Sequence, residues 1–88
     1  MSWIVYILEC SDETLYTGIT TDMENRLAKH ASGMGAKYTK GRAPYKIMYK
    51  EESHTKSSAL KREAFIKSLR KKQKLDLITA SSNSFAVN

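Results

Sequence analysis

Trp3-Ile4-Val5-Tyr6-Ile7-Leu8-Glu9-Cys10-Ser11-Asp12-Glu13-Thr14-Leu15-Tyr16-Thr17-Gly18-Ile19-Thr20 decides the fold. Its first six residues are β-branched or aromatic almost without interruption, the pattern of a buried strand. Ser11-Asp12-Glu13-Thr14 supplies turn chemistry, and Leu15 to Thr20 reads as a second strand. Residues 3 to 20 therefore predict an antiparallel hairpin. Downstream, Thr21-Asp22-Met23-Glu24 fits a capping box, with the Thr21 hydroxyl accepting from an amide three residues on and Glu24 reaching back. The helix it opens is expected to run to about Ala31, with Met23, Leu27 and Ala31 as its inner stripe.

Residues 32 to 45 hold three of the four glycines and the only proline, and read as a loop. Tyr45 to Glu52 predicts a third strand and Lys56 to Lys72 a long helix. In that helix Ala59, Ile66 and Leu69 share one face, with Phe65 at its flank. Leu75, Leu77 and Ile78 suggest a short final helix, and residues 81–88, rich in Ser and Asn, a flexible tail. No internal repeat is visible. The order ββαβα(α) implies an α+β domain over residues 1–80: a small three-stranded antiparallel sheet flanked by helices.

At 88 residues the core must be thin. Fifteen Lys and Arg against nine Asp and Glu leave a net charge of +6, which favours a polyanionic partner, nucleic acid first. Cys10 is the single cysteine, so no internal disulfide forms, and with His30 and His54 alone no zinc-finger spacing exists. The longest apolar run, Trp3 to Leu8, is too short to span a bilayer, and no lysine-rich helix carries a large apolar face. The expected location is the cytoplasm, without membrane association.

Tyr6 and Tyr16 sit on the two strands of the hairpin. Whether they share a face depends on the connecting loop, an odd number of residues placing them together and an even number apart. Gly18 falls on the Tyr16 face and is expected to leave a gap where a ligand approaches the sheet. Arg26 and His30, four residues apart, lie at the edge of the Met23/Leu27 stripe. A guanidinium there suits a phosphate oxygen, or alternatively pairs with Asp22. Glu63 lies beside the apolar face of a helix whose other charges, Lys61, Arg62, Lys67 and Lys71, are all basic. A carboxylate in that place needs a cation or a metal, Mg²⁺ being commonly held by one or two carboxylates with water and phosphate. An i,i+4 pair with Lys67, worth ~0.3–0.5 kcal/mol, is the competing explanation. In the loop, Lys37, Lys40 and Arg42 around Tyr38 suit backbone contacts and stacking on an unpaired base, or equally a solvated surface. The loop is not a P-loop. The run Arg70 to Lys74 is a solvated face or an extension of the same phosphate track.

Ile4-Val5-Tyr6 followed by Tyr16-Thr17-Gly18, an Arg ten residues past the second Tyr, and a Glu on a later helix together resemble the signature of the GIY-YIG endonucleases. The resemblance covers roughly residues 2 to 78 and is strongest to the small bacterial branch, in stretches such as Leu15 to Thr20 and Gly35-Ala36-Lys37-Tyr38-Thr39. It implies that Tyr6 and Tyr16 line an active site, one of them helping to deprotonate water. It further implies that Arg26 holds the scissile phosphate, that His30 contacts phosphate or assists proton transfer, and that Glu63 ligates one Mg²⁺ or Mn²⁺. Three positions depart from the pattern: Ile4 replaces the first glycine, Thr17 an aliphatic residue, and Ile19 a polar or basic one. Where many relatives have an asparagine, this chain has Lys71 to Leu75.

The function implied is a metal-dependent endonuclease acting on DNA rather than RNA, on structured or damaged substrates. The alternative is a catalytically weak nucleic-acid-binding module of the same fold. A protein partner or homodimerisation is the expected source of added specificity. With one carboxylate and a phenol whose ordinary pKa is ~10, slow or substrate-selective cleavage is expected.

Overall fold

β1 (Trp3–Glu9) is apolar on both faces because it is the middle strand. The computed structural model, which describes residues 2–33 and 41–86 and the side chains only as far as residue 80, places β2 (Leu15–Thr20) on one side of it and β3 (Lys46–His54) on the other. Both pairings are antiparallel. Val5, Tyr6, Ile7 and Leu8 are all fully buried, which accounts for the unbroken apolar run in the sequence. Helices α1 (Met23–Ala31), α2 (Lys56–Ser68) and α3 (Lys71–Ala86) complete the order ββαβαα, the α+β architecture expected.

The two faces of the sheet have different tasks. Val5 and Ile7 point to the side where Ala59 and Ile66 of α2 and Ile78 of α3 pack against them, with Trp3, Leu15, Ile19 and Met48 around the margin. That is the hydrophobic core. Tyr6 and Leu8 point the other way, toward α1.

Several boundaries differ from expectation. The N-cap of α1 is Asp22, whose carboxylate accepts from the Asn25 amide at 3.0 Å, in place of Thr21 with Glu24. Asp22 can take the role because Thr20 Oγ accepts from its amide at 3.1 Å and fixes the strand-to-helix corner. Ala31 is exposed, and the inward face of α1 runs through Met23, Arg26, Leu27 and His30, of which His30 alone is fully buried. The long helix expected over 56–72 is two helices. Leu69 is extended (φ −73°, ψ 149°), and Arg70 N–H donates to Gln73 Oε1 at 2.9 Å as α3 begins. α2 opens on a Thr55/Ser58 capping box. α3 is longer than the short helix expected, its backbone remaining helical to Ala86. No helix among the described residues is long and apolar enough to cross a membrane.

Candidate active site

The hairpin connection sets the site. Glu9 pairs with Leu15 across the five residues Cys10 to Thr14, so Tyr6 falls opposite Gly18 and Leu8 opposite Tyr16. An odd connection was one of the two possibilities, and it puts both phenols on one face. The turn is tied by Cys10 N–H to Thr14 O at 2.9 Å and by Thr14 Oγ to Asp12 Oδ1 at 2.6 Å.

Gly18 does not leave an opening for a ligand. A methyl group there would lie 2.5 Å from Tyr6 Oη, 2.7 Å from Tyr6 Cζ and 3.0 Å from Tyr16 Cε2. The missing side chain is the seat of the Tyr6 ring, and Gly18 is buried beneath the two phenols.

Above that seat the first helix closes. His30 Nε2 lies 2.9 Å from Tyr6 Oη, and Arg26 Nε donates to the same oxygen at 3.4 Å. Arg26 therefore turns to the phenol and not to the Asp22 carboxylate. Tyr16 is within hydrogen-bonding reach of the same guanidinium. The rings of Tyr6, Tyr16 and His30 are mutually within 5.3 to 6.3 Å, at tilted and edge-on angles favourable for aromatic contact. Tyr45, just before β3, adds a fourth ring 5.9 Å from His30. Sequence reasoning passed over Tyr45. Only its place at a strand entrance marked it, and any surface-seeking tyrosine shares that.

Electrostatics follow from this packing. Burial pushes the Tyr6 hydroxyl above its usual 10.0, against the lowering effect of Arg26 and with further upward pressure from Tyr16 and Glu63. Burial, then the Arg26 charge, holds His30 below its usual 6.5, so the imidazole is neutral at neutral pH. The imidazole and the phenol lie within hydrogen-bonding distance, with the direction of the bond set by the imidazole tautomer. The Arg26 guanidinium is held charged, most strongly through its hydrogen bond to Tyr6, with burial opposing.

Glu63 comes from α2. Its charge is felt at Tyr6, its side chain is 19% exposed, and Lys67 Nζ sits 3.4 Å away. The i,i+4 pair with Lys67 is thus present, and the Glu63 charge also acts on the Tyr6 hydroxyl. Among the described residues no group of three His, Cys, Asp or Glu converges, so none forms an all-protein metal cage there. A single carboxylate of low exposure could hold a divalent ion only in a site completed by water and other oxygens.

The remaining expected residues lie elsewhere. Arg42 pairs with Asp12 at the β1–β2 turn. Lys37, Tyr38 and Lys40 lie outside the described residues. A polar cluster that sequence reasoning missed joins β3 to α2: Glu51 accepts from Tyr49 Oη at 2.5 Å and from Arg62 Nε at 2.8 Å, and lies 2.8 Å from His54 Nε2.

Residues 2–76 match the GIY-YIG catalytic domain. A UPF0213 protein of Clostridium perfringens is 51% identical over 78 residues, which cover 89% of this chain and 84% of that protein. The solution structure of a UPF0213 protein from Bacillus halodurans superposes with a TM-score of 0.60 at 44% identity, covering 91% of this chain and 85% of the other. That of a protein from E. faecalis gives 0.65 at 39% identity, covering 100% and 90%. Carrying the paired tyrosines on one sheet face, and matched to the catalytic domain along most of its length, the chain belongs to the GIY-YIG family, alongside the small UPF0213 proteins.

Proposed function

We propose that this protein is a divalent-metal-dependent endonuclease that hydrolyses phosphodiester bonds in DNA. The observation that carries the reading is the convergence on Tyr6 Oη: His30 at 2.9 Å, Arg26 at 3.4 Å, Tyr16 beside them, and the Glu63 charge within range.

The residues divide the work by chemistry. Arg26, permanently charged and anchored through Nε, offers its remaining N–H groups to a non-bridging phosphate oxygen. Tyr6 is closed to solvent in the free protein, so substrate binding must admit, at the phenol, the water that attacks phosphorus. Its proton passes to Tyr6 Oη while the Tyr6 proton moves to His30 Nε2, so no free phenolate has to accumulate. The P–O bond opposite the water breaks, and the leaving oxygen is protonated from solvent. Glu63 would hold Mg²⁺ or Mn²⁺, which when bound supplies Lewis-acid stabilisation of the charge developing on phosphate. The 3.4 Å Lys67–Glu63 pair favours slow turnover, because the ammonium competes for the carboxylate. Taken further, that competition leads to the second reading, a binding module with little catalysis.

Nicking of supercoiled plasmid separates the two. Wild-type protein with Mn²⁺ or Mg²⁺ is expected to nick, and chelator to stop it. Glu63→Ala should abolish nicking with DNA affinity kept within a few-fold. Tyr6→Phe, which keeps the ring in its seat, should slow it by ~10²–10⁴. A Glu63→Ala protein that nicks at the wild-type rate removes Glu63 from the mechanism. Tight binding without nicking in the wild type leaves the module.

A further inference from the structure

We propose that the edge strand β2 floors a nucleic-acid track with two basic ends, and that the end built by Lys67, Lys71 and Lys74 holds backbone phosphates to one side of the cut. This rests on the nuclease reading and names a contact surface beyond the Tyr6 site.

β2 is an edge strand, and its two ends open into recesses. At the Ile19–Thr20 end a recess of about 260 Å³ is lined by Asp22, Asn25, Arg26 and Lys29, two cations against one carboxylate. At the Leu15 end two recesses, of about 310 and 210 Å³, share Leu15 and Lys74. One of them adds Tyr16 and Lys67, the other Thr14 and Lys71. Tyr16 and Arg26, which both belong to the cluster around Tyr6, thus each line a recess at opposite ends of the strand. A phosphate between them would have cationic surface on either hand. From Tyr16 to Thr20 the strand advances four residues, ~13 Å at ~3.3 Å each.

The side chains are positioned as well as charged. Lys71 Nζ donates to the Glu13 carbonyl at 3.0 Å, and Lys67 is held by Glu63 at 3.4 Å. Two of the three ammonium groups are therefore already placed before any strand arrives, which reduces the ordering cost of binding. The arrangement also works against the stability of the helix that carries it. The first turn of α3 has no acidic residue. Its cations face the positive end of the helix dipole, an unfavourable placement that a polyanion would relieve. Lysine ammonium groups contact phosphate as point charges and read no base edge, so this end should grip any sequence equally.

The test is a salt titration with Lys71→Gln/Lys74→Gln. Lys67 is left alone because its partner is Glu63. The control is Lys46→Gln/Lys61→Gln, an equal charge change at exposed positions of β3 and α2 outside the track. Affinity for a short fluorescein-labelled DNA duplex is read by anisotropy in chelator, over a series of salt concentrations and on two unrelated sequences. The track variant should lower the slope of log affinity against log salt by about 1.8 for its two lost contacts, alike on both sequences, and the control by much less. Equal slopes for track variant and wild type overturn the track. So do equal drops in track and control variants, which would mean that net charge alone matters. If the wild type nicks plasmid in either case, the nuclease reading survives. Loss of slope at the track in a protein that never nicks supports the track and sinks the nuclease. A wild type that neither binds nor nicks sinks both.

Discussion

Tyr6 Oη stands between a donor and an acceptor, and their protonation decides whether it can relay a proton. His30 must be neutral to accept, and burial with the Arg26 charge keeps it so to a pH below the ordinary 6.5. The acid limb of kcat/KM is therefore expected to have its midpoint below 6.5 and to disappear in His30→Asn, whose activity is low throughout. A midpoint above 6.5 would exclude His30 as the acceptor. Stability moves in the same direction. A folded pKa below the unfolded one means that the unfolded chain binds more protons in the interval between them. The contribution is intact above about 6.5 and is lost as pH falls through the folded value, so rates should be measured far below the melting temperature. Thr17 offers a second test. It is 2% exposed, points to the core side opposite Ile7, and its Oγ has no hydrogen-bond partner among the described residues. The GIY-YIG signature that this chain resembles has an aliphatic residue at this position. Thr17→Val should stabilise the fold by ~1 kcal/mol, read from the urea midpoint, because an unsatisfied buried hydroxyl costs ~1–3 kcal/mol. A lower midpoint would show that the hydroxyl is bonded after all.

Among the elements, β3 is tied to α2 by polar contacts through Glu51. Burial alone would raise its carboxyl, but hydrogen bonds from Tyr49, His54 and Arg62 outweigh it and hold the group below its usual 4.5. The stability this adds is present above about pH 4.5 and vanishes as pH falls through the lower folded value. Glu51→Gln should cost ~1.5–3 kcal/mol at neutral pH and little at acid pH, in urea melts at each. Equal loss at both pH values would mean that shape, not charge, makes the tie. The tie was illegible beforehand because its members lie in two elements whose relative register no local pattern fixes. The hairpin, by contrast, was plain, since a strand buried on both faces must be apolar throughout. The break between α2 and α3 left no mark either. Ser68-Leu69-Arg70-Lys71 holds neither Gly nor Pro, and the chain bends there so that Ile78 can return to the core beside Ile66.

For the molecule as a whole, the order of elements was readable, and the convergence of the candidate residues was not. Tyr6, Tyr16, Arg26, His30 and Glu63 were each ambiguous by type and spacing, and only the family resemblance joined them. That the phenols share a face depended on five connecting residues, and that Gly18 would serve a tyrosine ring needed the cross-strand register. Arg26 looked equally able to pair with Asp22 until its distance to Tyr6 was known. Tyr6 itself has no solvent exposure and occupies the middle of the central strand. The reactive hydroxyl is therefore a building stone of the fold and not an ornament mounted on its surface. Warming that loosens the sheet must unseat the phenol from Gly18 and from His30 together. If Tyr6 is the reacting group, loss of activity on heating should coincide with collapse of tertiary order, and hardening the scaffold should protect both.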